Sequence, residues 1–239
     1  MLSKKKPILN KMKKLLIATL ALGALTTSCT KEDSSDVNQQ KIYADYEVFY
    51  NQNEDKTHVV AKYRFGGATG TVLELSDSTN AYVSFEGDTL PWDPWYNAHH
   101  KEYAGNITTG TFSYTNTDGD TYVNTIPAGE NIAFPIGFDT INKSAAQTFA
   151  WSGTALAADQ QVSLFVGTWT WGEDALFYSN ALGGTDIVMG VTEMANLAVG
   201  SSTVYMDRST AVDISQGTPE GGRIRYKYRP TNATVQIVE

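Results

Sequence analysis

The chain has 239 residues, and its 26 Asp and Glu outnumber its 18 Lys and Arg, for a formal net charge of −8. Proteins that bind nucleic acids draw much of their affinity from Lys and Arg on phosphates, so this excess of acids argues against a nucleic-acid partner. Apolar residues make up 41% of the chain, which is enough for a hydrophobic core and excludes a largely disordered protein.

Residues 1–28 have the composition of an export signal. Lysines precede the apolar stretch of residues 15–25, which is shorter than the roughly 20 residues that a membrane-spanning helix needs. The sequence LTTSC follows at residues 25–29, and Cys29 is the only cysteine of the chain. This stretch resembles the lipobox of bacterial lipoproteins. The resemblance implies that residues 1–28 are removed and that lipid chains on Cys29 anchor the protein to a membrane. The alternative is a free or buried thiol in a secreted protein.

Residues 29–40 are polar and acidic, and we expect them to form a lipidated, flexible tether. Lys31, Glu32 and Asp33 resemble the export signal of outer-membrane lipoproteins in Bacteroidota-type bacteria. That resemblance implies an outer-membrane location, facing the cell exterior. The alternative is that the segment is polar only because a tether must stay solvated.

From Lys41 onward, short apolar and aromatic runs alternate with clusters of Gly, Asn, Asp and Pro, which is typical of antiparallel β-structure. The predicted strands of the first half are residues 42–50, 58–65, 71–75, 81–85, 111–115 and 121–126. Those of the second half are residues 147–151, 161–166, 175–179, 185–190, 202–208, 223–229 and 233–238. NTDGD (116–120) predicts a hairpin turn, because Asp-Gly tolerates positive φ angles. Residues 191–200 indicate a single helical turn ended by a glycine.

The fold class predicted is all-β, with two antiparallel β-sandwich modules after the signal peptide and tether. The proline- and glycine-containing segment 126–131 lies near the midpoint and suggests modules at residues 41–129 and 130–239. The strand pattern resembles the immunoglobulin-like domains common in envelope lipoproteins. One large sandwich is the alternative.

Familiar catalytic signatures are missing, including G-x-S-x-G, H-E-x-x-H, a phosphate-binding glycine loop and C-x-x-C. We therefore expect no enzyme, no cofactor and no metal. A glycan hydrolase is the least favoured alternative, because its two carboxylates need only meet in space. His99 and His100 are adjacent, and adjacent residues of an extended chain point in opposite directions, which argues against a metal ion held by both.

Aromatic residues in two segments are candidate ligand-binding residues. In residues 90–103, two prolines stiffen a predicted loop that carries Trp92, Trp95 and Tyr96. In residues 161–171, the large side chains change parity after Gly167, and Trp169 and Trp171 follow. For both segments the alternative is that the rings pack on the core, and a bulge at Gly167 would return both tryptophans to it.

Strict alternation in residues 223–229 predicts a basic strip on one strand face, formed by Arg223, Arg225, Lys227 and Arg229. This basic strip is a candidate docking face for an acidic partner, and pairing with acids of the neighbouring strands is the alternative.

Three short segments, DST, DTL and DTI, resemble O-glycosylation sites of exported Bacteroidota proteins. The resemblance implies Ser78, Thr89 and Thr140 as candidate modification sites.

The sequence as a whole predicts a lipid-anchored surface protein that binds a glycan or another cell-surface ligand non-covalently and does not catalyse a reaction. The alternative is an accessory subunit of an envelope protein assembly.

Overall fold

A computed structural model describes residues 31–76, 80–170 and 172–239, so Cys29, Ser78 and Trp171 lie outside the described residues. Strands dominate these ranges, and the predicted all-β class is confirmed. The strands of the first half are β1 (Glu32–Asp33), β2 (Ile42–Asn51), β3 (Lys56–Phe65), β4 (Thr71–Glu74), β5 (Tyr82–Phe85), β6 (Asp88–Thr89), β7 (Trp92–Asp93), β8 (Ala98–Ala104), β9 (Thr111–Thr115) and β10 (Thr121–Thr125). Those of the second half are β11 (Thr140–Asn142), β12 (Gln147–Ala150), β13 (Gln160–Val166), β14 (Ala175–Ser179), β15 (Asp186–Met189), β16 (Gly200–Asp213), β17 (Gly222–Arg229) and β18 (Ala233–Val238).

Helical structure is short in the described ranges. The single α-helix of the described residues is α1 (Val191–Met194), which agrees with the helical turn expected there, although Ala195 rather than Gly200 follows its last residue. Two 3-10 turns, Ser34–Asp36 and Gln39–Lys41, precede β2.

The main sheet has 12 strands within the described ranges, and its central order is β1-β4-β3-β2-β17-β16-β13-β14. β8 pairs with β3, β7 pairs with β8, and β18 pairs with both β11 and β16. Most pairs are antiparallel, whereas β17 runs parallel to β2 from Gly222 to Arg229. Both halves of the chain therefore meet in the middle of one sheet.

Period-two alternation gives the main sheet two different faces. Along β2, buried and half-buried residues alternate from Ile42 to Phe49, because successive side chains point to opposite sides of a strand. Tyr46 and Val48 point into the core, while Glu47 and Phe49 point away from it. We call the side opposite the core the outer face.

Two smaller sheets contribute to the same hydrophobic core. A four-stranded sheet, ordered β10-β9-β5-β6, contacts strands β2 and β3 of the main sheet through aromatic pairs. The Phe112 ring stacks on Tyr46 at 4.6 Å, and the Tyr114 ring lies 4.5 Å from Tyr63. β12 and β15 form a two-stranded sheet that adds Phe149 to this core. The predicted hairpin turn is confirmed, since β9 and β10 pair antiparallel around it.

The boundary predicted between residues 129 and 130 does not separate two sheets. β2 and β17, which lie on opposite sides of that boundary, share eight register positions, and contacts group Glu32–Glu239 as one unit. The arrangement in two immunoglobulin-like modules therefore stays a prediction that these pairings do not support.

The tether prediction needs a correction for residues 32–40. β1 pairs parallel with β4, and the Ser34 and Gln39 side chains are buried. The Gln39 side-chain amide donates to the carbonyl oxygens of Ser34 and Val37, at 2.6 and 2.9 Å. The polar composition that suggested a solvated tether instead supplies hydrogen bonds within this segment, and the pairing of β1 with β4 joins it to the sheet.

Candidate functional site

The basic strip lies on the outer face, opposite acids of the neighbouring strands. Arg225 Nε lies 2.6 Å from Glu47 Oε2, and Arg223 Nη2 lies 3.6 Å from Asp45 Oδ2. Arg229 makes a bidentate contact with the Asp207 carboxylate, at 2.6 and 2.7 Å.

Lys227 completes the strip and also reaches Asp207, at 3.9 Å. Cross-strand pairing, the alternative left open by the alternation pattern, is therefore what the structure shows. The strip presents paired charges rather than an isolated positive surface.

The aromatic segment of residues 90–103 divides between a loop and a strand. The loop predicted for residues 90–103 is wrong from residue 98 onward. Residues 98–104 form β8, and residues 99–104 of this strand pair with β3. Trp95 is 96% exposed, whereas Trp92 is half-buried and meets the His99 ring edge-on at 5.4 Å. Tyr96 stacks on His100 at 3.7 Å. The three predicted ligand-binding aromatics thus have three different environments.

Trp169 lies on the surface and is 68% exposed, so the alternative in which it returns to the core is wrong. β13 ends at Val166, and Gly167 follows with a φ of 146°. The Asp174 side chain occupies the space where a Cβ of residue 167 would be, and its Oδ1 accepts a hydrogen bond from Trp169 N–H at 3.1 Å. This contact holds Trp169 at a φ of 63°, an uncommon angle for a residue other than glycine.

Tyr96 and Trp169 are the two ends of a row of rings on the outer face. From one end, Trp169 stacks on Phe165 at 4.2 Å and lies 5.8 Å from Tyr205. The Arg229 guanidinium then lies between the Tyr205 and Phe49 rings, at 5.4 and 5.2 Å from their centroids.

From Phe49 the row continues to the other end. The Phe49 ring lies 5.9 Å from the His58 ring, and the His58 ring lies 5.5 Å from the His100 ring. Tyr96 stacks on His100 and ends the row. We call this set the aromatic row; its members are Trp169, Phe165, Tyr205, Arg229, Phe49, His58, His100 and Tyr96. It crosses six neighbouring strands, which corresponds to about 24 Å at a strand spacing of about 4.8 Å.

Two cavities open on the outer face; members of the aromatic row line the first, and none lines the second. The first has a volume of about 220 Å³ and is lined by Phe49, His58, Tyr96 and charged residues that include Lys62 and Arg225. Burial, with Arg64 nearby, lowers the pKa of Lys62. The second cavity, of about 410 Å³, shares Arg225 with the first. A ligand on this face would therefore meet polar groups beside the rings.

Two histidines meet at one end of the aromatic row. His58 Nδ1 lies 3.3 Å from His100 Nε2, and both side chains are buried. His58 Nε2 contacts Glu54 at 3.2 Å, and His100 Nδ1 contacts Asp93 at 3.0 Å. The hydrogen bond from His100, together with two backbone N–H groups, lowers the pKa of Asp93.

With Glu102, these two histidines form the one group of three in the described ranges that could hold a metal ion. As the sequence predicted, His99 points the other way from His100, toward Leu75 N and Leu90 O. Sequence reasoning missed His58, because its position beside His100 depends on the pairing of β3 with β8.

Comparison of the chain with known protein families gives no match, and comparison with curated proteins gives none either. Among the described residues, no helix is long and apolar enough to cross a membrane. Thr89 and Thr140, two of the candidate glycosylation sites, are both exposed.

Proposed function

We propose that this protein is a lipid-anchored cell-surface protein that binds a glycan along the aromatic row. The observation that supports a binding role is the continuity of the aromatic row, from Trp169 to Tyr96. The row lies on the outer face, so its rings do not form part of the hydrophobic core. Rigid rings provide large contact areas at a small cost in conformational entropy. A rigid sheet keeps those rings at fixed spacings, which suits an extended ligand.

The charges of the outer face favour a neutral ligand over a highly charged one. Arg225 and Arg229 already pair with Glu47 and Asp207, at 2.6 Å each. A polyanion would have to compete with those carboxylates, whereas the hydroxyl groups of a neutral sugar can accept and donate hydrogen bonds beside the rings. The ligand class that fits best is therefore a neutral polysaccharide.

Replacing both ends of the aromatic row, Tyr96→Ala with Trp169→Ala, is expected to weaken glycan binding by about 30-fold. Both rings are exposed and stand at the ends of the row, so each is expected to contribute about 1 kcal/mol, and about 1.4 kcal/mol corresponds to a factor of ten. Affinity electrophoresis of the full chain in gels that contain neutral or acidic polysaccharides would measure the change. A glycan array run in parallel would identify the sugar.

Tyr82→Ala is the matched control, because Tyr82 is an exposed aromatic on β5, outside the main sheet. This variant should bind as the wild type does. Equal binding by the double variant and the wild type would remove the aromatic row as the glycan site. Retention by acidic but not neutral polysaccharides would contradict the proposed ligand class.

Membrane attachment through Cys29 is tested separately, since this residue lies outside the described ranges. Cys29→Ser should move the protein from the membrane fraction to the soluble fraction, because two buried lipid chains hold a protein durably and each buried methylene contributes about 0.8 kcal/mol. Thr30→Ala, one residue away, should stay with the membrane. Membrane attachment of the Cys29→Ser variant would contradict the lipid anchor, and protease treatment of intact cells would test surface exposure.

An accessory role in an envelope assembly is the second candidate function, and it rests on the basic strip as a docking face. The pairing of the strip with Asp45, Glu47 and Asp207 weakens that argument, because an acidic partner would have to displace these carboxylates. Crosslinking in intact cells would detect such a partner at fixed stoichiometry.

A further inference from the structure

We propose that His58, His100 and Glu102 bind one divalent transition-metal ion at the Tyr96 end of the aromatic row. The ligand atoms would be His58 Nδ1, His100 Nε2 and a Glu102 carboxylate oxygen, which all lie within 4.8 Å of one another. This inference goes beyond glycan binding and does not depend on it.

Two of the three distances between these atoms are close to those of a zinc site, and the third is within 4.8 Å. His58 Nδ1 lies 3.3 Å from His100 Nε2 and 3.8 Å from Glu102 Oε1. Ligand atoms that are about 2.0 to 2.2 Å from a tetrahedral Zn²⁺ lie about 3.3 to 3.6 Å from each other. An ion can therefore bind with small movements of the side chains.

The other nitrogen of each ring is hydrogen-bonded as in known metal sites. Because an ionised carboxylate only accepts hydrogen bonds, His58 Nε2–H donates to Glu54 at 3.2 Å and His100 Nδ1–H donates to Asp93 at 3.0 Å. Carboxylates in this position orient metal-binding histidines and raise their basicity. The two nitrogens that face each other are then both acceptors, and a cation between them would bind both lone pairs.

The fold places these ligands in advance. His58 pairs directly with Glu102 in the β3–β8 register, and His100 lies two residues before Glu102 on the same face. Glu102 Oε2 accepts from Lys56 Nζ at 2.5 Å, so the other carboxylate oxygen is oriented toward His58. The Tyr96 hydroxyl donates to His58 Nδ1 at 3.1 Å, and an ion would replace this hydrogen bond. Both residues line the 220 Å³ cavity through which an ion could enter.

The ligand types select among metals. Two imidazole nitrogens and one carboxylate oxygen suit Zn²⁺, Ni²⁺ and Cu²⁺. Ca²⁺ and Mg²⁺ prefer sets made of oxygen atoms alone. Zn²⁺ is therefore the probe, and Ca²⁺ and Mg²⁺ are the comparison ions.

The three histidines of the chain allow a test on the unaltered protein. Zn²⁺ titrated into the full chain should shift the NMR imidazole signals of His58 and His100 up to one equivalent and leave that of His99 unchanged. Ca²⁺ and Mg²⁺ should shift none of the three. Absence of a Zn²⁺ response from His58 and His100, or an equal response to Ca²⁺, would overturn the proposal.

Variants identify the residues by the loss of Zn²⁺ affinity in isothermal titration calorimetry. His100→Ala should weaken binding at least about 100-fold, and Asp93→Asn, which removes the acceptor for His100 Nδ1–H, about 10- to 100-fold. Asp88→Asn is the matched control, because Asp88 pairs with Lys101 away from the site. Wild-type affinity in folded His100→Ala protein, or equal losses from Asp93→Asn and Asp88→Asn, would contradict the assignment.

Discussion

Replacing Arg208 by methionine is expected to lower the free energy of unfolding by about 3 kcal/mol. Arg208 lies on the core side of β16 and is only 1% exposed. Its guanidinium donates to the carbonyl oxygens of Thr154 and Ala155, at 2.9 and 3.3 Å, and to Gln160 Oε1 at 2.6 Å. Methionine has a similar length but no donor, so these acceptors would lose their partner while remaining largely shielded from water.

An ion pair adds a pH dependence to this effect. Glu130 Oε2 lies 3.1 Å from Arg208 Nη2, and Thr154 also donates to this carboxylate. The hydrogen bond from Thr154 and then the charge of Arg208 lower the pKa of Glu130. A lowered folded-state pKa stabilises the protein above the unfolded-state pKa and loses that effect as the pH falls through the folded-state value. The difference between wild type and Arg208→Met should therefore become smaller on acidification.

Urea unfolding of the two proteins measures the difference, with Arg223→Met as the matched control. The Arg223 side chain is 44% exposed, and its carboxylate contact at 3.6 Å is on the surface. Surface substitutions of this kind usually change stability by about 0.5 kcal/mol or less. Equal losses of unfolding free energy in the two variants would mean that the buried hydrogen bonds of Arg208 do not stabilise the protein.

Phe112→Ala should lower the free energy of unfolding by about 4 kcal/mol. The Phe112 ring on β9 is fully buried between two sheets. It stacks on Tyr46 of the main sheet at 4.6 Å and lies 5.0 Å from Phe85 of its own sheet. Alanine would leave a cavity between rings that are themselves packed, so the surroundings could collapse only partly.

Val123→Ala is a control in the same small sheet, because Val123 lies on β10 and is 40% exposed. Its loss should be well below that of Phe112→Ala in thermal and urea unfolding. If Phe112→Ala cost no more than Val123→Ala, the contact between the two sheets would not be a source of stability. Such a result would contradict the core described above.

Strand positions could be predicted from the sequence because they depend on local patterns. Alternation in residues 42–50 and 223–229 matches β2 and β17 to within one residue at each end. β8 could not be predicted in this way, because its residues AHHKEYA do not alternate between apolar and polar side chains. Prolines at 91 and 94 favour a loop before β8, but they do not determine where the strand that follows begins.

Several residues of the aromatic row could be predicted one by one from the sequence. That they lie side by side on the outer face could not. Tyr96, Trp169 and Arg229 each stand in a local sequence pattern of their own, and they belong to one aromatic row only because of the strand order. His58 carried no local signal. It lies 42 residues before His100 in the chain, and only the β3–β8 register places the two rings 5.5 Å apart.

The sequence by itself determined the all-β class, most of the strands and the side of each strand on which charged and aromatic residues lie. These properties follow from the two-residue period of an extended chain, which is local. Tertiary structure alone decided that β2 lies beside β17, that the basic strip is paired with acids, and that side chains from six strands form one row. Backbone hydrogen bonds between strands are the same for every sequence, so the choice of partner depends on how the whole core packs.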